Sequence, residues 1–184
     1  MPSLLTRRDF LRTGAIGTIA LTTATGSTLT ACSSTPSSPS KGFNFLREAD
    51  LKVFSALIPV VLQGMIQTET ANYQALQINI LKNVDGACSN LAYKAQTEIY
   101  KLLDLLDGRM TRWLTTGVWD TWQQANPEDV NHFLQRWQSS SIGPFNAGYR
   151  VLSKLVAVSY FSLPEAQAQS GYSHLPALYQ AVNS

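Results

Sequence analysis

The chain has 184 residues, with 14 basic and 12 acidic side chains, 45% apolar residues and only 14% charged ones. That composition can bury a core for one domain and excludes a charge-rich disordered chain. Setting aside Arg7, Arg8, Arg12 and Asp9 removes three of the 14 basic and one of the 12 acidic residues. The remainder has a formal charge of zero, which excludes a nucleic-acid binder that works through a basic patch.

The first element is an address. Thr6-Arg7-Arg8-Asp9-Phe10-Leu11-Arg12 is a twin-arginine export pattern, in which Arg7, Arg8, Phe10 and Leu11 are the residues presented to the twin-arginine translocase. The stretch from Gly14 to Thr30 is interrupted by glycines and threonines. A membrane-spanning helix needs about 20 predominantly apolar residues, so this segment is too polar to stay inserted. It closes on Leu29-Thr30-Ala31-Cys32, which resembles a bacterial lipobox. The resemblance implies cleavage before Cys32 and acylation of its sulfur and new amino group. Two or more acyl chains hold a protein stably where one holds it marginally. Residues 1–32 are thus a lipoprotein signal, and residues 33–43, rich in Ser and Pro, form a flexible linker. The expected location is periplasmic, tethered to a membrane by lipid. With Cys32 acylated, Cys88 has no intramolecular partner and is expected to be a small buried hydrophobe.

Residues 44–184, about 140 in number, are expected to fold as one all-α domain, an irregular bundle of about five to six helices. Leu51, Phe54, Leu57, Ile58, Val61 and Leu62 form an apolar helical stripe, with a kink or break expected just before Pro59. Tyr73, Leu76 and Ile80 mark a second helix, predicted to stop near Asp85-Gly86. A third stripe runs from Leu91 through Ala95, Ile99, Leu102, Leu103 and Leu106 to Asp107-Gly108. A short fourth segment carries Trp113, Leu114, Trp119 and Trp122. Asn126-Pro127-Glu128-Asp129 is a helix start: a cap, a pre-set first-turn angle, and two carboxylates facing the positive end of the dipole. Val130, Phe133, Leu134 and Trp137 form the buried face of that helix. Ser139 to Pro144 breaks the chain before a last helix over 144–161. Phe145, Tyr149, Leu152 and Val156 line one of its faces, and Val151, Leu155, Val158 and Phe161 much of another. Such a helix is either central or covered by a partner, and a central place is expected. Arg150 and Lys154 in its middle argue against a membrane span.

Chemistry-bearing patterns are sparse. His132 has only Glu128 at helical spacing, and a zinc site needs three or four ligands, so no metal is expected. His174 stands alone in the tail. Asp104 with Asp107, and Glu128 with Asp129, lie at helix ends, where solvation or the dipole accounts for them. Trp113, Trp119, Trp122 and Trp137 are expected to be core. No phosphate loop, dinucleotide fingerprint or nucleophile elbow is present. No catalytic residue is assigned, and these absences argue against an enzyme.

Two stretches resemble the family called gluconate 2-dehydrogenase subunit 3. One is Phe43-Asn44-Phe45-Leu46 through Ala49-Asp50-Leu51 to Phe54-Ser55-Ala56-Leu57-Ile58-Pro59, similar to that family's opening helix with its acidic start and Ile-Pro end. The other is Tyr160-Phe161-Ser162-Leu163-Pro164-Glu165-Ala166, then Gly171-Tyr172 and Pro176. The likeness covers about a third of the mature chain. It departs from the family at Gly64-Met65, where a Pro-Gly-Ala stretch is usual, and at Ser173 to Pro176, where Gly-Pro often follows Gly-Tyr. The resemblance implies a non-catalytic small subunit that binds, co-exports and anchors a sugar or alcohol dehydrogenase of the glucose–methanol–choline type. It implies no cofactor in this chain, FAD in the large subunit, and a cytochrome c as common electron acceptor. Tyr160, Phe161, Pro164, Gly171, Tyr172 and Pro176 are the expected partner interface. The alternative is a free-standing periplasmic lipoprotein acting as a binding or envelope-structural module.

Overall fold

A computed structural model of the protein describes residues 38–169. The predicted signal and lipid residues Arg7, Arg8, Phe10, Leu11 and Cys32 lie outside the described residues, as do Gly171, Tyr172, His174 and Pro176. Seven helices make up the described chain: α1 (Glu48–Val61), α2 (Tyr73–Ser89), α3 (Tyr93–Asp107), α4 (Arg109–Thr116), α5 (Pro127–Gln138), α6 (Gly143–Phe161) and α7 (Pro164–Gln169). Among the described residues there is no strand, only an isolated bridge between Gln63 and Ile66. The fold is therefore the expected all-α bundle. The helix number exceeds the expected one because Gly108 separates α3 from a short α4 and Pro164 starts a six-residue α7.

The centre of the bundle is α1, which packs against α2, α3, α5 and α6. Its Val53, Phe54, Leu57 and Ile58 are fully buried. Of the kink or break expected just before Pro59, a break does not occur: the helix continues to Val61. Proline removes the donor that would have bonded to the carbonyl four residues earlier. That carbonyl, of Ser55, instead accepts a hydrogen bond from Gln77 Nε2 of α2 at 3.2 Å. A neighbouring side chain thus replaces the bond the ring cannot make.

The predicted stop at Asp85-Gly86 is also corrected, since α2 runs on to Ser89. Gly86 does not take a left-handed conformation. Asp85 and Cys88 are both buried and continue the stripe begun by Ile80, Leu81 and Val84. Leu91 precedes α3 instead of belonging to it. The short fourth segment proves to be α4 only as far as Thr116. There Gly117 adopts φ 74°, a left-handed cap that a side chain would disfavour, and Trp119 and Trp122 fall in the following loop.

The start of α5 follows the sequence closely. Asn126 Oδ1 accepts from the Glu128 amide at 3.0 Å, and Val130, Phe133, Leu134 and Trp137 are all buried. Trp137 joins α4, α5 and α6: its Nε1 donates to the Thr115 carbonyl at 2.9 Å, and Phe145 stacks on its ring at 5.0 Å. A Cβ at Gly148 would come within 2.6 Å of the same ring, so only glycine lets α6 approach so closely. Truncating such an indole costs about 3–5 kcal/mol.

The last helix differs from expectation in a way that bears on function. Leu152 and Val156 are buried against α1, α2 and α5, but the opposite face is open. Val151, Val158 and Phe161 are 37%, 55% and 45% exposed. Helix α6 is thus packed on one side rather than enclosed. Among the described residues no helix is long and apolar enough to cross a membrane.

Candidate functional site

Two kinds of site emerge, one polar and closed, the other apolar and open. The polar one fastens the segment that leads into α1. Asp50, in the first turn, reaches back to accept from the Arg47 amide at 2.8 Å, so an orphan donor at the helix start is satisfied. The same carboxylate receives the guanidinium fork of Arg47, Nε at 2.8 Å and Nη2 at 2.9 Å. Nη2 also meets Asp104 Oδ1 of α3 at 2.7 Å. The hydrogen bond to Asp50 is the main reason that the Arg47 pKa is raised, against the opposing effect of burial. Asp104 was expected to be explained by solvation at a helix end; it is half-exposed and holds this cation.

Asp85 lies on α2, some forty residues along the chain, and performs a related task. Its carboxylate accepts from the amides of Asn44, Phe45 and Leu46 at 2.9, 2.8 and 2.8 Å. Tyr100 completes the fastening: its hydroxyl donates to the Phe45 carbonyl at 2.8 Å. Its ring stacks on Phe45 at 4.2 Å and lies under the Arg47 guanidinium. Sequence reasoning read Asp85 as a helix end and missed this cluster. The available signal was a carboxylate inside an apolar helical stripe, since a buried charge requires donors from elsewhere. With their oxygens already engaged by amides and a guanidinium, these carboxylates act as fasteners.

Cys88 sits one turn beyond Asp85 and is fully buried. Its thiol is pushed up to about 12, first by burial and then by the charges of Asp85 and Asp50. It is a protonated core thiol at neutral pH, as expected of a small hydrophobe. His132 is exposed on α5. Among the described residues no group of three or more His, Cys, Asp or Glu is placed to hold a metal ion.

The open site is a groove between α6 and the α2–α3 pair. Leu91, Ala95, Ile99, Val151, Leu155 and Val158 line a hollow of about 520 Å³, with Glu98 and Lys154 at its edges. A second hollow of about 370 Å³ shares Glu98, Ile99 and Val151 with it and has Trp137, Phe145 and Gly148 in its wall. The two hollows are neighbours along α6. Phe161 extends the exposed stripe one turn past Val158.

Of the expected interface residues, Phe161 and Pro164 are exposed. Tyr160 is not: its ring is buried, and its hydroxyl donates to the Met65 carbonyl at 3.4 Å. The tryptophans divide two and two, which corrects the expectation that all four are core. Trp122 and Trp137 are buried, and Trp122 Nε1 donates to the Leu106 carbonyl at 2.8 Å. Trp113 and Trp119 are 49% and 61% exposed and pack edge to face at 5.5 Å. Spacing alone could not separate them, because Trp119 follows the turn at Gly117 and no longer obeys helical periodicity.

Compared with known families, with characterised proteins and with solved structures, the chain matches none.

Proposed function

We propose that this chain is a non-catalytic small subunit of the gluconate 2-dehydrogenase subunit 3 type, which binds, co-exports and anchors a flavin-bearing sugar or alcohol dehydrogenase in the periplasm. The reading is carried by one pairing: an export signal and lipidation cysteine stand ahead of a helical domain whose α6 leaves Val151, Val158 and Phe161 open. The twin-arginine route moves folded proteins, so one signal can export a partner already holding its FAD. A contiguous apolar groove on an exported domain favours a protein partner, because such faces are otherwise covered. Arg7 and Arg8 then serve both chains, and acylated Cys32 holds the complex to the membrane, with a cytochrome c as the natural acceptor of the flavin's electrons.

The test is to extract the lipoprotein from membranes in detergent and follow flavin absorbance through purification. A co-eluting flavoprotein is expected, and replacing Arg7 and Arg8 with lysine should hold both proteins in the cytoplasm. Elution of the chain alone, with the neighbouring dehydrogenase exported normally in its absence, would overturn the proposal in favour of a free-standing lipoprotein.

A further inference from the structure

The groove along α6 is aliphatic, but the other exposed apolar patch is of a different kind. Met110, Trp113 and Leu114 of α4, together with Trp119 of the loop behind it, are 80%, 49%, 73% and 61% exposed. Indoles with one apolar edge and one polar N–H are suited to the boundary between lipid headgroups and acyl chains, and methionine and leucine to the layer just beneath. We infer that this edge of the domain rests on the bilayer surface, with Trp113 and Trp119 inserted among the lipid headgroups.

The occupant follows from where the tether ends. Five residues separate Cys32 from Ser38, and the six residue steps between them span at most about 20 Å when fully extended. A compact domain of about 130 residues has a radius of gyration near 14 Å and is roughly 35 Å across. The lipid-linked cysteine is therefore too close for the domain to turn freely, and the end bearing the tether faces the membrane. That end is marked by Ser40, whose Oγ donates to Glu48 Oε2 at 3.0 Å. Glu48 lines a surface hollow together with Trp122 and Gln123, three and four residues past Trp119. Arg47 grips Asp104, one turn before the start of α4. Trp122 is bonded to Leu106, between Asp104 and Arg109. The tether's attachment and the exposed indoles thus share one end of the bundle. The patch is flanked by two exposed cations, Arg109 and Arg136 (whose Nη2 donates to the Thr115 carbonyl at 3.1 Å), and by the exposed carboxylates of Asp107 and Asp120, so the charges balance. Apolar and indole contacts, rather than charge, must hold it, so a zwitterionic surface suffices.

This inference rests on the lipid anchor of the proposed function, and the experiment separates the two. The full lipidated protein is reconstituted into phosphatidylcholine vesicles with and without brominated acyl chains, and tryptophan emission is read. The chain has four tryptophans, and the two buried ones serve as an internal reference for folding. Brominated lipid should quench a large part of the emission and shield that part from aqueous acrylamide. Both effects should disappear in Trp113→Phe/Trp119→Phe, while emission from Trp122 and Trp137 persists. A protein that floats with the vesicles but keeps Trp113 and Trp119 as open to acrylamide as in detergent overturns the inference and leaves the anchor standing. If mass analysis finds no acyl chain on Cys32, the anchor fails. The bromine readout then still decides the inference, for it if the indoles are quenched and against it if they are not.

Discussion

The segment from Asn44 to Asp50 and the outer face of α6 meet water in opposite ways. In the first, Asp50 is fully buried and Asp85 nearly so, yet both carboxylates, on two different helices, are supplied with amide or guanidinium donors from residues 44–47 of one loop. In the second, Val151 and Val158 stand exposed beside a groove almost devoid of polar lining. A buried charge with all its partners is costly to disturb, because removing one side leaves the other unsatisfied. An exposed valine contributes little to folding and is available for contact with another surface. Polar fastening is concentrated in the segment that leads into α1, and open apolar surface where the bundle leaves its last long helix half covered.

The largest effect should come from breaking the polar side. Asp85→Ala strips the acceptor from three buried or part-buried amides, and its expected cost is about 3–5 kcal/mol in urea unfolding. Asp85→Asn keeps one acceptor oxygen and should lose less. Set against a total stability of about 5–15 kcal/mol for an ordinary domain, the alanine variant should be close to its unfolding limit at room temperature. A loss below about 1 kcal/mol would mean that water replaces the carboxylate, and that the segment is not fastened through Asp85.

How much of this was legible depends on whether the determining contact is local. The cap at Asn126 and the stripe Val130, Phe133, Leu134, Trp137 involve residues within two turns, and the sequence states them outright. The break allowed for at Pro59 and the stop at Asp85-Gly86 fail for the same reason in reverse. The bond that rescues Ser55 comes from Gln77, and the donors that justify a buried Asp85 come from residues 44–46. Periodicity shows that α6 has two apolar faces but not which one the neighbours cover. That depends on Gly148 admitting Trp137, a contact between separate helices.

A smaller effect, confined to alkaline solution, should appear at the same polar cluster. Folding raises the Cys88 pKa from 9.0 to about 12, so the native state holds the thiol proton more tightly than the unfolded chain does. The stability contributed is fully present below pH 9.0 and is lost as pH rises from there toward about 12. Tyr100, also raised by burial, adds a loss in the same direction at high pH. Cys88→Ala removes the thiol term only. Its melting temperature should therefore fall less steeply across that window than the parent's, even if it starts lower. Parallel curves would indicate that the thiol is reachable by water, and that burial at the foot of α2 is looser than its position suggests.

The smallest effect on folding belongs to the open face, and there the comparison is most exposed to failure. Val151→Asn/Val158→Asn exchanges two residues for others of similar helix propensity at partly exposed positions, so unfolding free energy should move by no more than about 0.5 kcal/mol per site. Binding should respond differently. A buried amide without partners costs about 1–3 kcal/mol, so capture of the proposed flavoprotein partner in a pull-down should weaken by at least about tenfold, 1.4 kcal/mol being one factor of ten. Asp85→Ala should reverse the pattern: low stability, but unchanged capture by whatever fraction remains folded. If the double asparagine variant destabilises the domain as much as Asp85→Ala does, the outer face of α6 is part of the core and the contrast collapses. If stability and capture are both untouched, the groove is not where the proposed partner sits.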